Sequence, residues 1–210
     1  MSIEKMYNVW AQQYDTNENK TRDLDQRTVI EILSKYEFSK VVELGCGTGK
    51  NTSFLLTKAQ ELIGIDISQA MLDKAKQKIT DERVHFIKGD LLKAWEVSDE
   101  FADLISCSLV LEHIEDMSFV FSEANRALME NGLFYISEFH PFKQYVGSKA
   151  RFETEEGTQE LEAYVHHTSD YLRLAEKNGF QLIELKEHFD GLLANEMPRL
   201  ISFVFRKLSK

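Results

Sequence analysis

The stretch VVELGCGTGK, Val41 to Lys50, decides how the rest of the chain is read. An apolar run carrying one acid, Glu43, gives way to glycines at alternate positions: Gly45, Gly47 and Gly49. Val41–Leu44 reads as a buried strand and Asn51–Ala59 as the helix after it. A backbone stripped of Cβ atoms where a strand meets a helix lets a ligand lie against the main chain. In an open α/β sheet that turn sits at the carboxyl edge, where ligands bind. The ligand can be a triphosphate, a dinucleotide or a nucleoside without phosphate. A triphosphate loop needs G-x-x-x-x-G-K-[ST]; here Gly45 is one residue too close and Asn51 replaces the metal-binding hydroxyl. A dinucleotide loop needs G-x-G-x-x-G/A, and reading from Gly45 puts Lys50 where a small residue belongs. The first reading fails; the second is weakened and stays open.

Outward from this turn, strands and helices alternate. Leu62–Ile67 (LIGIDI) is a second strand, and Ser68 caps a helix whose Met71 or Leu72, Ala75 and Ile79 keep a helical period. Val84–Ile87 and Asp103–Val110 give a third and a fourth strand. A helix begins at Asp116 and ends at Asn131-Gly132, and Leu133–Phe139 is the fifth strand. Thr168 or Ser169 caps a helix closing at Asn178-Gly179, after which Leu182–His188 and Ile201–Phe205 are strands. Their short connection, around Gly191–Arg199, predicts antiparallel pairing. Before the first strand, Leu24–Tyr36 reads as one more helix. The alternation predicts an α/β fold with a mostly parallel sheet covered on both faces. Residues 141–167 lack a clear period, and a connection of that length is read as a cap over the ligand end of the sheet.

The chain has 210 residues, 43% hydrophobic and 29% charged, which fits one soluble domain spanning residues 1–210, with a helical segment over 1–36. No apolar run reaches the length of a membrane span, and MSIEKMYNVW carries no apolar signal core. Cys46 and Cys107 are the only cysteines and lack metal-ligand spacing. A cytoplasmic protein without a metal is expected. With 35 acidic against 25 basic residues, the formal net charge is -10. Nucleic-acid binding rests on clustered Lys and Arg, so the expected partner is a small molecule, with neither nucleic acid nor membrane.

VVELGCGTGKNT resembles the nucleotide-loop motif of class I S-adenosylmethionine-dependent methyltransferases. The resemblance continues in order through LIGIDIS with QAMLDKAKQKI, VHFIKGDLL, FADLISCSLVLEHIED and ENGLFYISEFHP. The amino-terminal VWAQQYD is similar to the entry segment of the small-molecule members. It implies a Rossmann-like sheet of seven strands, mostly parallel with the last antiparallel. The cofactor it implies is S-adenosyl-L-methionine, and the partner a small-molecule methyl acceptor, in a monomer or homodimer.

Each part of that cofactor asks for a particular side chain. Asp66 is expected to accept both ribose hydroxyls, a role that dehydrogenases give the same acid. Asp90 would accept from the adenine amino group, with the Leu91 amide donating to a ring nitrogen. Ile67 and Met71 would sandwich the ring. Gly45, Cys46, Gly47 and Gly49 form the loop beside the methionine portion and ribose, and Glu43 would receive the ammonium group. Ser108 follows the fourth strand beside the methionine tail, and Tyr14 is placed over the carboxylate or sulfonium.

Methyl transfer is an in-line displacement on an activated carbon, and alignment alone can contribute roughly 7–11 kcal/mol. A hydroxyl or ammonium acceptor must also lose a proton. His140, His113 and His167 are the candidate bases; His166 precedes the same helix as His167. The acidic run RFETEEGTQELE reads as a solvated helix face. The nearest rival reading is a macromolecular methyltransferase acting on protein or RNA. Enzymes of exocyclic base or amide nitrogens carry D/N-P-P-aromatic after the fourth strand, where this chain has Ser106-Cys107-Ser108-Leu109. A non-catalytic cofactor-binding protein and a dehydrogenase complete the alternatives.

Overall fold

Period-two alternation in β1 (Lys40–Leu44) sends Val42 and Leu44 to one face of a sheet and Val41 and Glu43 to the other. A computed structural model describes residues 2–147, 151–154, 157–191 and 197–209. β2 (Glu61–Asp66), β3 (Val84–Lys88), β4 (Ala102–Ser108) and β5 (Leu128–Phe139) join β1 in parallel. β9 (Leu200–Lys207) runs antiparallel to both β5 and β8 (Phe180–His188). The seven strands lie in the order β3-β2-β1-β4-β5-β9-β8. The reversal of connection on either side of β1 creates a crevice between β1 and β4 at their carboxyl ends, the place where such sheets bind ligands. This is the Rossmann-like architecture expected, with β9 as the antiparallel strand.

Helices cover both faces. α5 (Ser118–Ala127) and α7 (Thr168–Lys177) pack with Val42, Ile105, Phe134 and Phe203. α2 (Lys20–Leu33) and α3 (Thr52–Leu55) pack with Val41, Leu62, Leu104 and Val204. On the α2 face the strands change character along their length. Val41, Leu104 and Leu133 are apolar, whereas Glu43, Ser106 with Ser108, and Tyr135 with Ser137 follow on the same side toward the carboxyl edge. α2 answers with buried Asp25 and Thr28. α1 (Ile3–Trp10) lies across that edge, packed through Met6 and Trp10 on Met71 of α4 (Gln69–Lys78).

Several boundaries differ from the sequence reading. α2 starts at Lys20, not Leu24, because the Asn19 side chain caps it by accepting the Arg22 N–H at 3.0 Å; the polar first turn hid this start, and the helix stops at Leu33. The helix after the glycines is only Thr52–Leu55, since the chain must turn back for Gln60 N–H to reach the Ser39 carbonyl. α5 ends at Ala127, where Leu128 already pairs with Ala102; Asn131, at φ 62°, instead makes a turn inside β5. The N-cap of α7 is His167, whose N–H is accepted by Asp170 at 3.0 Å, so Thr168 and Ser169 are helical.

Residues 141–167 contain α6 (Pro141–Tyr145) and a hairpin of β6 (Arg151–Thr154) with β7 (Gly157–Glu160). Arg151–Thr154 and Gly157–Glu160 of the acidic run are therefore strands where a helix face was expected. Glu155 and Glu156 in that run, residues 148–150 in the predicted cap and residues 192–196 in the predicted Gly191–Arg199 loop lie outside the described residues.

Candidate cofactor site and active site

The alternate glycines are needed for different reasons. Gly45, at φ 66°, presses so close to Val110 that an added Cβ would sit 2.2 Å from Cγ2. Gly47, at φ 52°, faces open space, with nothing within 4 Å of a built Cβ. Left-handed backbone costs an L side chain about 1–2 kcal/mol, and at Gly47 the unfilled space is where a ligand would touch the main chain.

Beside this loop the carboxyl edge opens into a cavity of about 290 Å³. Tyr14, Gly45, Gly47, Asp66, Ile67, Met71, Asp90, Leu91, Ser108 and His113, all expected from the sequence, line it. Asp66 ends β2 with Oδ2 accepting the Gly47 N–H and Oδ1 the Ser68 N–H, each at 2.8 Å. Burial pushes its carboxyl pKa up, and the two amides oppose that shift. Each oxygen keeps a second lone pair, which fits a vicinal diol. Asp90 accepts the Leu92 N–H at 3.0 Å.

Glu43, Cys46 and Gly49 do not line this cavity. Glu43 and Cys46 border a smaller space of about 40 Å³ behind the glycines, together with Arg22, Asp25, Asn51 and Ser108. The Glu43 carboxyl accepts from the Thr52 hydroxyl, and burial pushes its pKa up to about 8. Asp25 is pushed up to about 6 by burial, against the draw of Ser137, Asn51 and Ser108. Asn51 donates to Asp25 Oδ2 at 3.0 Å, while Asp25 Oδ1, Asn51 Oδ1 and Ser108 Oγ are buried without an aligned hydrogen-bond partner. Buried polar atoms left so are costly, and acceptors in this arrangement suit a ligand ammonium. The Arg22 guanidinium lies 4.5 Å from the Tyr14 ring centroid and donates to the Tyr14 and Asn17 carbonyls. Gly49 borders an outer polar groove with Lys50 and Asp15.

The three histidines part company. His140 is buried; its Nδ1 accepts the Phe142 N–H at 3.1 Å as the N-cap of α6, and Nε2 lies 3.0 Å from Glu187. Burial lowers its pKa. His167 contacts the Tyr145 hydroxyl through Nδ1. Neither lines the 290 Å³ cavity. His113 does line it, with Nε2 2.9 Å from the Tyr7 hydroxyl and Nδ1 2.8 Å from the Glu162 carbonyl oxygen.

The sequence reading missed Tyr7, Ile3, Val110 and Ile114 in the cavity wall and Asp25 behind the glycines. It also missed Glu138, which accepts the Val110 and Leu111 N–H groups at 3.0 and 2.8 Å and so shapes the turn bearing His113. Glu138 had a signal, being an acid inside an apolar strand, as Glu43 is. Tyr7 had none beyond its place three residues before Trp10.

Residues 42–136 match the family described as a methyltransferase domain. The chain is 26% identical to an uncharacterized methyltransferase of Emericella nidulans, over 85% of this chain and 76% of that protein. It is 30% identical to a trans-aconitate 2-methyltransferase of Variovorax paradoxus, over 53% of this chain and 45% of that one. Its fold matches the crystal structure of an S-adenosylmethionine dependent methyltransferase from Mesorhizobium loti with a TM-score of 0.73 and 20% identity, covering 88% of this chain and 98% of the other.

Proposed function

We propose that this chain, whose residues 42–136 match the methyltransferase domain family, is a class I S-adenosylmethionine-dependent methyltransferase that transfers a methyl group to an oxygen or nitrogen atom of a small molecule by in-line displacement. The observation that carries this reading is the cavity itself, which sets Asp66 and Asp90 at neighbouring strand tips beside a bare glycine loop and closes them under α1. When bound, the cofactor supplies a methyl carbon activated by a sulfonium.

The residues divide the work. Asp66 holds the ribose diol, and Asp90 with the Leu91 amide reads the adenine edge between Ile67 and Met71. Glu43, Asp25 and Ser108 receive the ammonium, and Tyr14 closes over the methionine end. α1 is fastened over the site by Asn8, whose Oδ1 accepts from Ser68 Oγ at 2.7 Å and from the Ala70 N–H at 3.1 Å. Such a cover excludes water and helps hold donor and acceptor in line. Residues 161–167, tied to the turn that bears His113 by the Tyr164 N–H to the Glu112 carbonyl and by His166 to the Ile114 carbonyl, border the acceptor side, and the acceptor is a metabolite, not nucleic acid. No helix among the described residues is long and apolar enough to cross a membrane, and both cysteines are free and buried, which suits a reducing cytoplasm.

Label transfer tests the reading. Methyl-labelled S-adenosylmethionine incubated with the protein and a metabolite extract should place label in a small molecule identified by mass. Label confined to protein or RNA overturns it. Thermal shift with S-adenosylhomocysteine, and none with NAD, should separate this reading from a dehydrogenase.

A further inference from the structure

We propose that Tyr7 and His113 form a proton-accepting pair for the methyl acceptor, and that this acceptor is an amine. The proposal rests on the methyltransferase reading above and names its substrate class.

The tautomer follows from the partners. A carbonyl oxygen can only accept, so the 2.8 Å contact with Glu162 places a hydrogen on His113 Nδ1. Nε2 is then the lone-pair nitrogen of the neutral ring, and the Tyr7 hydroxyl donates to it at 2.9 Å. The Tyr7 oxygen keeps lone pairs of its own, and both residues line the cavity. The imidazole cannot swing away. His166 Nε2 donates to the Ile114 carbonyl at 2.8 Å, and the Tyr164 N–H to the Glu112 carbonyl at 2.7 Å, fastening residues 161–167 to the turn that bears His113.

The charges around the pair are acidic. The Glu112 carboxyl, whose pKa burial raises against the opposing pull of His113, lies 4.0 Å from His113 Nε2. Burial, and after it the neighbouring Tyr14, Glu112, Asp66 and Glu138, raises the Tyr7 phenol pKa well above its ordinary value, so the phenol keeps its hydrogen until it is passed on. On α1 itself Glu4 pairs with Lys88 at 2.8 Å. Among the described residues the cavity wall holds Asp66 and Asp90 and neither Lys nor Arg. A carboxylate acceptor would meet no cationic side chain in this wall, whereas an ammonium meets the Asp66 and Asp90 carboxyls.

The steps balance. The ammonium hydrogen passes to the Tyr7 oxygen as the phenolic hydrogen passes to His113 Nε2. The imidazolium so formed keeps its Glu162 bond and faces Glu112. The freed nitrogen lone pair forms the N–C bond to the methyl carbon as the C–S bond breaks, its electron pair leaving on the thioether sulfur. The imidazolium then returns its proton to solvent.

The test uses the full chain as wild type, Tyr7→Phe and His113→Gln. All three should keep the thermal shift with S-adenosylhomocysteine; loss in both variants assigns the pair to cofactor binding and overturns the proposal. Label transferred by the wild type into an extract should reside in products retained on a cation exchanger and stable to mild base. Label released as methanol by base, or found in an uncharged ether, overturns the amine. No transfer despite cofactor binding overturns the methyltransferase reading itself, and this inference with it. With the labelled amine in hand, Tyr7→Phe should lose about 10²-fold in kcat/KM near neutral pH. That deficit should shrink as pH rises and the amine deprotonates unaided. A deficit constant with pH marks a purely structural role and overturns the pair.

Discussion

Asp66 accepts the Gly47 N–H at 2.8 Å, and this one bond joins the tip of β2 to the loop leaving β1. The same carboxylate holds the Ser68 N–H at the start of α4. It is thereby fixed with its remaining lone pairs toward the cavity, before any ligand arrives. Asp66→Ala should abolish the thermal shift with S-adenosylhomocysteine. Two hydrogen bonds to a charged group contribute about 1.5–3 kcal/mol each, so Kd by calorimetry should rise at least a hundredfold. An unchanged shift would refute the ribose assignment.

Gly45 and Gly47 should respond differently to alanine. At Gly45 the new methyl collides with Val110 as well as meeting left-handed strain, so Gly45→Ala should lower stability by about 2–4 kcal/mol. At Gly47 only the backbone strain applies, about 1–2 kcal/mol, yet the methyl projects into the open space proposed for the ligand. Urea unfolding with a parallel cofactor titration would show Gly45→Ala losing fold first and Gly47→Ala losing binding first.

Glu138 sets a pH dependence. Burial and then Glu112 push its carboxyl up to about 8 from an ordinary 4.5, while three backbone amides pull it back. The folded state therefore binds the proton more tightly than the unfolded chain. Its contribution is whole below about pH 4.5 and is lost as pH rises to about 8. Glu138→Gln stays neutral and keeps an oxygen for the Val110 and Leu111 amides. Urea unfolding should show wild-type stability falling relative to this variant across that window, by about 1.4 kcal/mol per pH unit. Parallel curves would mean the carboxyl is already ionised.

Glu43, raised to about 8, holds its proton at neutrality. An ammonium arriving beside Glu43 and Asp25 favours their charged forms, so binding of S-adenosylhomocysteine at pH 7 should release a proton. The calorimetric heat should then differ between phosphate and Tris buffers, and Glu43→Gln should remove most of the difference. Buffer-independent heat in the wild type would exclude Glu43 as the receiving group.

The sheet was legible because its signals are local. Val41–Leu44 and LIGIDI announce buried strands within a few residues, and Ser68, whose Oγ accepts the Met71 N–H at 3.2 Å, caps the helix where the sequence placed it. Helix ends were misplaced where a tertiary bond overrides the local pattern, as at Leu128, drawn into the sheet by Ala102. Most of the proposed cofactor-binding residues follow strand ends and could be placed by counting from them.

The histidines could not be ranked that way. Sequence alone determined the strand order's raw material, the glycine loop and the acids at successive strand tips, because each depends on spacing of a few residues. Only the folded chain decided that His140 caps a helix while His113 meets Tyr7, 106 residues away. It also decided that Asp25 lies behind the glycines. Those pairings are fixed by where α1 and α2 land on the sheet, which depends on packing across its whole upper edge.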